Sequence, residues 1–314
     1  MKKRLLSAFM ALALCLTLLP TAALAAETEN NIAVQANTAN VAEVTIDGKT
    51  TQYTDIVAAF AAAQKAASAA VKLLENVTIP KNAYGYSYGI ELTSGNITLD
   101  LNGCTIQTTG RESGFSQLEA VFYINDGSSL TVQDKSTNGG GKIVQPNGGQ
   151  AIHVGGTLTV ESGVAIEVTS TDESTPTSFI RDKNCAVFLT GGGTANILGG
   201  TLTGKQGIYV KNGTLNVSGG TIHGKNSYAL QVAQNAAANY NSMVTLSGGS
   251  YTTGVSDGCS IWNADGTAAA LLDSGYRYQD DNGKESAYSG DNKGVVGNTT
   301  VAVRPVGEFS YIGA

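Results

Sequence analysis

The stretch Gly193–Val210 reads GTANILGGTLTGKQGIYV, and the stretch Gly213–Val232 reads GTLNVSGGTIHGKNSYALQV. The second begins 20 residues after the first and repeats the same three phrases in the same order. These phrases are an aliphatic strand with Thr or Asn, a Gly-Gly-Thr-aliphatic strand, and an aliphatic-x-aliphatic strand. Looser copies start near Asn96, Ser129, Thr157 and Met243. A repeat of this length is typical of a solenoid or another array of stacked units.

Each copy of the repeat contains three short strands and no helical stretch. The strands have a period of two and are separated by Gly or Asn, which favour turns. Three such strands cannot bury an apolar face alone, but they can if each copy stacks on the previous one. Because a propeller blade needs four strands and about 40 residues, the repeat favours a right-handed parallel β-helix of about six coils over residues 96–266.

Stacking of the copies predicts two columns of inward-facing aliphatic side chains. The first column consists of Ile106, Ile143, Ile166, Leu202 and Ile222. The second column consists of Val121, Ile152, Val187, Ile208, Leu230 and Ile261. Each member would contact its equivalent in the next coil, about 4.8 Å away, so the two columns are the predicted core.

The segment before the repeat predicts a hairpin followed by an amphipathic helix. The alternating stretch 44–46 precedes Asp47-Gly48, a hairpin turn signal. Thr54 is a candidate cap for a helix over residues 55–68. The residues that share the apolar face of this helix are Ile56, Phe60, Ala63 and Ala67.

Both ends of the predicted β-helix are expected to be closed. Residues 42–95 form the N-terminal cap, in which the helix is followed by a strand over residues 71–79. Residues 267–314 form a short C-terminal β segment and tail, with strand patterns within residues 271–303. Both caps would cover open sheet edges, which otherwise invite aggregation.

The chain begins with a segment typical of a secretory signal peptide. A basic start, a 15-residue apolar run from Leu5 to Leu19 and an Ala-x-Ala site ending at Ala25 match that pattern. A transmembrane anchor is the alternative, but it needs about 20 apolar residues. We expect residues 1–26 to be removed and residues 27–41 to form a flexible leader. The mature protein would be secreted or cell-surface associated, with no membrane contact after signal cleavage.

The composition argues against several kinds of site. The net charge is −6 and the cations are scattered singly, which predicts no nucleic-acid binding. Of the four cysteines, Cys104, Cys185 and Cys259 would remain after signal cleavage. They are odd in number and irregular in spacing, so we expect buried thiols rather than a disulfide framework. His153 and His223 are the two histidines of the sequence, so a zinc site is not expected. We also expect no cofactor.

The pattern resembles the pectin-lyase-like right-handed parallel β-helix superfamily, of the type found in secreted and surface proteins of Gram-positive bacteria. The phrase ITLDLNG at 97–103 is similar to the first coil of such proteins. The stretch VKLLENVTI at 71–79, preceded by a helix, is similar to their usual beginning, and LLDSGY at 271–276 to their usual end. The resemblance covers roughly residues 43–303 and implies the architecture without implying a chemistry.

The catalytic motifs of polygalacturonases, which are enzymes of that superfamily, do not stand on the predicted coils. Those motifs are an Asn-Thr-Asp phrase, an Asp-Asp pair, a Gly-His-Gly and an Arg-Ile-Lys. The Asp-Asp pair here, Asp280-Asp281, precedes an Asn-Gly turn. Asp100 is expected to cap a bend, and Glu161 and Glu167 do not form the carboxylate pair at about 5–10 Å that glycosidases use. The sequence therefore leans away from an enzyme, with a polysaccharide lyase or glycoside hydrolase as the open alternative.

Two long turns predict a notch in which such an enzyme site would lie. The turn between the second and third strands is long at 111–119 and at 169–184, and short in the copy between them. Both insertions would leave the same corner two coils apart. Their charged residues are Arg111, Glu112, Asp172, Glu173, Arg181 and Asp182. Loops on a rigid scaffold commonly carry function, so Arg111, Arg181 and Asp182 are candidate ligand-binding residues; solvated loops are the alternative.

The third strand of each copy carries a second candidate site. If Ile152 and Val154 point inward, His153 points outward, because side chains alternate along a strand. The equivalent outward residues are Phe188, Tyr209, Gln231 and Trp262, with Phe122 or Tyr123 in the first copy. Exposed rings in a row can stack on sugar rings and mark a binding face. The alternative is that a terminal segment packs over them.

We therefore expect a secreted or cell-surface β-helix module, non-catalytic, that binds a polysaccharide or a cell-wall or matrix glycan through an exposed strand face. The candidate residues on that face are His153, Phe188, Tyr209 and Trp262. A carbohydrate-active enzyme and a structural stalk or adhesin fragment are the alternatives. An enzyme would need ionisable groups with perturbed pKa values converging in the notch, whereas a binder needs only the exposed rings.

Overall fold

A computed structural model describes residues 39–79, 89–109, 120–146, 148–169, 184–234, 242–254, 258–297 and 299–307. All of them belong to one compact unit, Ala39–Ala314. The predicted signal peptide and the leader up to residue 38 lie outside the described residues. None of the helices in these ranges is long and apolar enough to cross a bilayer.

The described part of the chain consists mainly of short strands. The first fourteen are β1 Ala42–Ile46, β2 Lys49–Tyr53, β3 Ser68–Leu73, β4 Val77–Ile79, β5 Ile90–Leu92, β6 Asn96–Asp100, β7 Thr105–Thr108, β8 Ala120–Ile124, β9 Ser129–Gln133, β10 Lys142–Gln145, β11 Gln150–Val154, β12 Thr157–Val160, β13 Ala165–Val168 and β14 Cys185–Leu189. The next thirteen are β15 Thr194–Ile197, β16 Thr201–Gly204, β17 Gln206–Val210, β18 Gly213–Val217, β19 Thr221–Gly224, β20 Leu230–Val232, β21 Ser242–Leu246, β22 Ser250–Thr253, β23 Cys259–Asn263, β24 Tyr276–Gln279, β25 Ala287–Ser289, β26 Gly294–Val296 and β27 Thr300–Pro305. The helices are α1, Ile56–Ala63, and a 3₁₀ helix, Ala268–Leu271.

The strands form three sheets of nine strands each. Sheet A has the order β2-β1-β3-β6-β9-β12-β15-β18-β21, sheet B the order β24-β27-β22-β19-β16-β13-β10-β7-β4, and sheet C the order β25-β26-β23-β20-β17-β14-β11-β8-β5. From β3 to β23, consecutive strands belong to sheets A, B and C in turn, and their pairing is parallel. Antiparallel pairs lie at the sheet ends. The architecture is all-β and compatible with a β-helix.

The first predicted column of aliphatic side chains is confirmed. Ile143 pairs in register with Ile106 on one side and Ile166 on the other. Leu202 continues the column between Ile166 and Ile222. All five side chains are fully buried, so the periodicity of the repeat identified this part of the core correctly.

The second predicted column is confirmed except at its first member. The residues that follow Ile152 in register are Val187, Ile208, Leu230 and Ile261. On the other side of Ile152 the partner is Phe122, so the prediction of Val121 was wrong. Strand β8 has buried apolar residues at four of its five positions, and alternation alone cannot set its register. Pairing with β11 decides it.

The predicted hairpin is confirmed. Strands β1 and β2 are antiparallel, and Ile46 pairs with Lys49 across the turn. Asp47 and Gly48 have φ angles of 50° and 76°. A two-residue turn whose twist matches the strands needs positive φ at both positions, and Asp-Gly adopts it readily.

Helix α1 is shorter than predicted and has a different cap. Its N-cap is Asp55 rather than Thr54, and the Asp55 carboxylate accepts a hydrogen bond from the backbone N–H of Ala58 at 2.7 Å. The helix ends at Ala63 instead of continuing to residue 68. The side chains it buries are Ile56, Ala59, Phe60 and Ala63.

The residues after α1 form a strand because they pair on both sides. Strand β3 lies between β1 and β6 in sheet A. Its alternate residues Ala69, Val71 and Leu73 are buried, whereas Ala67, predicted on the helix face, is exposed. Two hydrogen-bonded neighbours and three buried side chains outweigh the high helix propensity of an Ala-rich stretch, because tertiary contacts commonly override intrinsic propensity. The predicted strand over 71–79 is thereby divided between β3 in sheet A and β4 in sheet B.

The C-terminal segment adds antiparallel strands to sheets B and C. Strand β27 lies between β22 and β24, and β26 pairs with β23. The buried Tyr278 donates a hydrogen bond from its hydroxyl to the Ala268 carbonyl at 2.8 Å. The Asp280 carboxylate accepts from the N–H groups of Asn282 and Lys284 at 2.8 and 2.9 Å. The interpretation of the Asp-Asp pair as a turn is therefore confirmed.

The cysteines in the described ranges are thiols, as predicted. Cys104, Cys185 and Cys259 form no disulfide with one another; the last two are buried and Cys104 is partly exposed. Burial raises the pKa of the Cys104 thiol, and the Asp134 carboxylate and other nearby carboxylates raise it further. Since the thiolate is the reactive form, the raised pKa lowers the reactive fraction of this thiol at neutral pH.

Candidate functional site

The third-strand residues predicted to point outward do form one column on sheet C. His153 pairs in register with Tyr123 and Phe188, and Tyr209 pairs with Phe188. Gln231 and Trp262 continue the same register. Of the two alternatives for the first copy, Tyr123 is the outward residue, because Phe122 is buried in the core.

Neighbouring rings of this column pack against one another. The ring centroids of Tyr123 and His153 are 5.6 Å apart, those of His153 and Phe188 are 5.1 Å apart, and those of Phe188 and Tyr209 are 5.7 Å apart. The planes of Phe188 and Tyr209 are 10° apart, so these two rings are stacked, whereas the other two pairs are tilted by 38° and 51°. A sugar needs an exposed ring face to stack on, and Phe188 is only 3% exposed. The rings of the column therefore pack mainly against one another, and Phe188 offers almost no surface to a ligand.

Gln231 lies between Trp262 and the other rings of the column, and the C-terminal segment packs against the Trp262 ring. That ring stacks on Tyr228 with centroids 5.6 Å apart and an angle of 17° between planes. A Cβ atom added at Gly290 would lie 2.7 Å from the Trp262 ring, and one added at Gly294 would lie 3.1 Å from it. The alternative that a terminal segment packs over the aromatic face thus holds at Trp262.

The surroundings of His153 favour the neutral form of its imidazole. Its Nδ1 lies 2.8 Å from Oε1 of Gln150 and donates to that oxygen. Burial lowers the pKa of His153, and the charge of Lys211 lowers it further. A neutral imidazole with one nitrogen committed to Gln150 retains a single acceptor, Nε2.

The predicted notch is formed by the residues of two long turns. Both long turns lie outside the described residues, and with them the candidates Arg111, Glu112, Asp172, Glu173, Arg181 and Asp182. Their role in ligand binding stays a prediction.

Two of the carboxylates considered as catalytic groups, Asp100 and Glu167, have structural partners. The Asp100 carboxylate accepts hydrogen bonds from the N–H groups of Asn102 and Lys135, both at 3.0 Å, as expected for a residue that caps a bend. Glu167 forms an ion pair with Lys225 at 3.2 Å. Among the described residues, no group of three or more His, Cys, Asp or Glu side chains is arranged to hold a metal ion.

Sheet A carries a different regular surface on its outer side. We call it the threonine face and define it by two columns on β9, β12, β15 and β18. The first column is Ser129, Thr157, Thr194 and Thr214, and the second is Thr131, Thr159, Asn196 and Asn216. All eight side chains are uncharged and partly exposed. The Asn216 amide donates to the Asn196 Oδ1 at 2.9 Å, so neighbouring coils are linked along the column.

A groove of about 380 Å³ runs beside the first column of the threonine face. Ser129, Thr157 and Thr194 line it together with the turns that lead into their strands. Gly127 and Gly192 in these turns have φ angles of 79° and 80°, and a Cβ atom at either would meet nothing within 4 Å. Glycine adopts the left-handed backbone conformation of these turns without strain, and because it has no side chain the space beside the turns stays open to the groove.

The threonine face was not identified from the sequence, although its signal is present there. The phrases Ser-Leu-Thr, Thr-Leu-Thr, Thr-Ala-Asn and Thr-Leu-Asn recur at the start of successive copies. The apolar middle residue of each phrase is fully buried, and the flanking hydroxyl and amide residues are partly exposed. The alternation rule places them together on the outer side of sheet A.

The fold and this surface define a protein of stacked parallel strands with a long, uncharged polar face. Comparison of the chain with protein-family models, with curated proteins and with solved structures gives no match. Its function is therefore inferred from the chemistry of its own surfaces.

Proposed function

We propose that the chain is a secreted, non-catalytic β-helix module that binds an extended neutral glycan along the threonine face. The observation that carries the proposal is the in-register repetition of uncharged hydrogen-bonding side chains on four consecutive strands of sheet A. The glycan would belong to a polysaccharide, a cell wall or a matrix.

The proposed scaffold is a right-handed helix whose coils run from β3 to β23. This adds one coil, β3 to β5, before the six expected from the repeat. Connections between parallel strands of one sheet are almost always right-handed, and the resemblance to the pectin-lyase-like superfamily supports the same hand. Helix α1 covers the first end, where the rings of Phe60 and Phe122 are 5.4 Å apart. Strands β24 to β27 cover sheets B and C at the other end.

The spacing of the threonine face suits a sugar polymer. Equivalent residues on neighbouring coils are about 4.8 Å apart, which is comparable to the length of one sugar residue in an extended chain. A glycan lying along the stack would therefore meet one row of side chains at each sugar. Threonine hydroxyls and asparagine amides both donate and accept hydrogen bonds, as sugar hydroxyls do.

The same surface suits other polymers poorly. A nucleic acid is bound chiefly through cations that neutralise its phosphates, and the threonine face has none. A protein partner is usually anchored by aromatic or arginine side chains that enter a pocket. The groove beside Ser129, Thr157 and Thr194 is lined instead by hydroxyl residues and glycines together with Asn96 and Asp126, a polar lining that is suited to hold the edge of a sugar ring.

The test is a glycan array followed by titration of the neutral polysaccharide that the protein binds. The informative variant combines Thr157→Val and Thr194→Val, which keep the branched shape and strand preference but remove two hydroxyl groups. Each lost hydrogen bond is worth about 1 kcal/mol. Two of them should weaken binding by about 30-fold, while the thermal midpoint stays nearly unchanged.

The matched control combines Thr201→Val and Thr221→Val, an in-register pair on the outer side of sheet B. This control should bind as the unmodified protein does. The proposal is wrong if the control loses as much affinity, or if the unmodified protein binds no glycan. It is also wrong if Tyr209→Ala abolishes binding and the threonine variant does not, because the ring column would then be the site.

A further inference from the structure

Two arginines lie directly opposite each other at the C-terminal end of sheet B. Arg277 on β24 pairs in register with Arg304 on β27. Directly opposite residues of antiparallel strands project from the same face, with Cβ atoms about 4.5–5.5 Å apart, and like charges in this arrangement destabilise the pair. The sequence contains five arginines, and the two within the described ranges are these.

Neither arginine is neutralised within the described part of the chain. The ion pair found there is Lys225 with Glu167, on other strands. With the Gln279 amide oriented so that its Oε1 faces Arg277, that oxygen accepts from Nη2 at 2.8 Å and from Nε at 3.1 Å. This contact orients the Arg277 guanidinium and leaves its positive charge uncompensated.

A cleft of about 550 Å³ lies beside Arg304, one of the two arginines of this pair. It lies where the turns between sheets A and B meet strand β27, and Arg304 forms part of its wall. Ser218, Ser247 and Tyr276 also line it. Residues with hydroxyl groups and an aromatic ring, which are common contacts for a sugar, therefore lie next to Arg304, and its partner Arg277 projects from the same face of the hairpin.

We propose that Arg277 and Arg304 bind the phosphate group of a phosphorylated sugar whose ring occupies this cleft. The choice of a sugar rests on the proposed glycan-binding function, whereas the choice of phosphate rests on the arginine pair itself. A phosphomonoester carries about −1.5 to −2 charges at pH 7, which matches two guanidinium groups. A carboxylate carries half of that charge and needs only one of them. Guanidinium groups also meet phosphate oxygens through paired hydrogen bonds.

The test is calorimetric titration with glucose 6-phosphate, glucose and inorganic phosphate at fixed ionic strength. We expect glucose 6-phosphate to bind more tightly than either of the other two, and its affinity to fall as salt is added. Arg304→Gln and Arg277→Gln should each weaken it by about 10-fold or more, because each removes hydrogen bonds to a charged group. Lys284→Gln, which removes the same charge elsewhere on the C-terminal segment, is the matched control and should bind normally.

Thermal unfolding provides a second readout that does not depend on calorimetric heat. A ligand that binds only the folded state raises the thermal midpoint, so glucose 6-phosphate should stabilise the unmodified protein and not the two arginine variants. Without ligand, these variants should be at least as stable as the unmodified protein, because each relieves the repulsion between like charges.

Three results would overturn the inference: an unchanged affinity in both arginine variants, an equal loss in Lys284→Gln, or inorganic phosphate binding as tightly as glucose 6-phosphate. These three results can be distinguished from a failure of the proposed glycan-binding function. Loss of neutral-glycan binding on the array, with glucose 6-phosphate still bound, would reject the threonine face alone. The opposite pattern would reject the arginine site alone.

Discussion

Replacement of Leu202 by alanine provides the most direct test of the stacked core. Leu202 lies in the first aliphatic column between Ile166 and Ile222, and its side chain is fully buried. The backbone of β16 is hydrogen-bonded to a strand on each side. Truncation at this position therefore leaves a gap in the column that the neighbouring strands cannot easily close.

The expected loss lies in the upper part of the range for this kind of substitution. Leu→Ala changes in protein cores cost about 2–5 kcal/mol, and the cost rises with the volume of the cavity that stays open. Because the backbone of β16 is fixed on both sides, we expect a decrease of about 3–5 kcal/mol in the free energy of unfolding.

Urea titration followed by two probes measures this loss. Circular dichroism reports on all the strands, whereas fluorescence reports on Trp262, the single tryptophan of the chain. Trp262 lies in β23, the last parallel strand of sheet C. If the stack unfolds as one unit, both probes should show the same shift of the midpoint. A shift seen by circular dichroism alone would indicate that coils unfold separately, as stacked repeats can.

Thr201→Ala is the control for this experiment. Thr201 immediately precedes Leu202 on the same strand but is exposed, so its replacement should change the free energy of unfolding by at most about 0.5 kcal/mol. The reasoning fails if Leu202→Ala costs less than about 1 kcal/mol, or if the two variants are equally destabilised. Either result would mean that Leu202 is not part of a packed column.

Two further predictions concern pH and stability. Asp134 accepts hydrogen bonds from the N–H groups of Gly103 and Gly141 at 2.9 and 2.7 Å. Burial alone would raise the pKa of Asp134, but the hydrogen bonds from Ser136 and from these two amides lower it below its usual value. Asp134→Ala should therefore lower the free energy of unfolding, measured by urea titration at pH 7, by about 2 kcal/mol. This loss should become smaller as the pH falls through the lowered pKa of Asp134. A loss that does not change with pH would contradict the prediction. The pKa of His153 is also lowered, below 6.5, so the folded protein binds fewer protons than the unfolded chain and loses stability as pH falls from about 7 to 5. His153→Asn should flatten the dependence of the thermal midpoint on pH over that window, and an unchanged slope would refute the burial argument.

The aromatic column shows how far an outward pattern can be interpreted from the sequence. Alternation along each third strand correctly placed His153, Phe188 and Tyr209 on the outer side of sheet C. It did not reveal that the rings of neighbouring coils pack against each other, or that the C-terminal segment packs on Trp262. Both depend on contacts between coils and on residues that are close only after folding.

The threonine face can be recognised from the sequence, whereas the arginine pair can be recognised only from the structure. The recurrence of Thr-Leu-Thr and related phrases is visible in the sequence, because each strand has a period of two. The opposition of Arg277 and Arg304 is not visible, because 27 residues separate them in the chain and only the register of β24 with β27 brings them together.

The sequence by itself determined the stacked β architecture, the hairpin at the start, both aliphatic columns apart from one member, and the thiol state of the described cysteines. These features follow from local alternation and from a repeat that returns the same side chain to the same place in each coil. The tertiary structure decided the end of α1, the register of β8 and the partners of the outward rings. In each of these segments the local pattern fits more than one arrangement. The Ala-rich stretch after α1 is compatible with a helix or a strand, and the uniformly apolar β8 is compatible with either register. Hydrogen bonding to neighbouring strands then selects the arrangement that buries the most apolar surface.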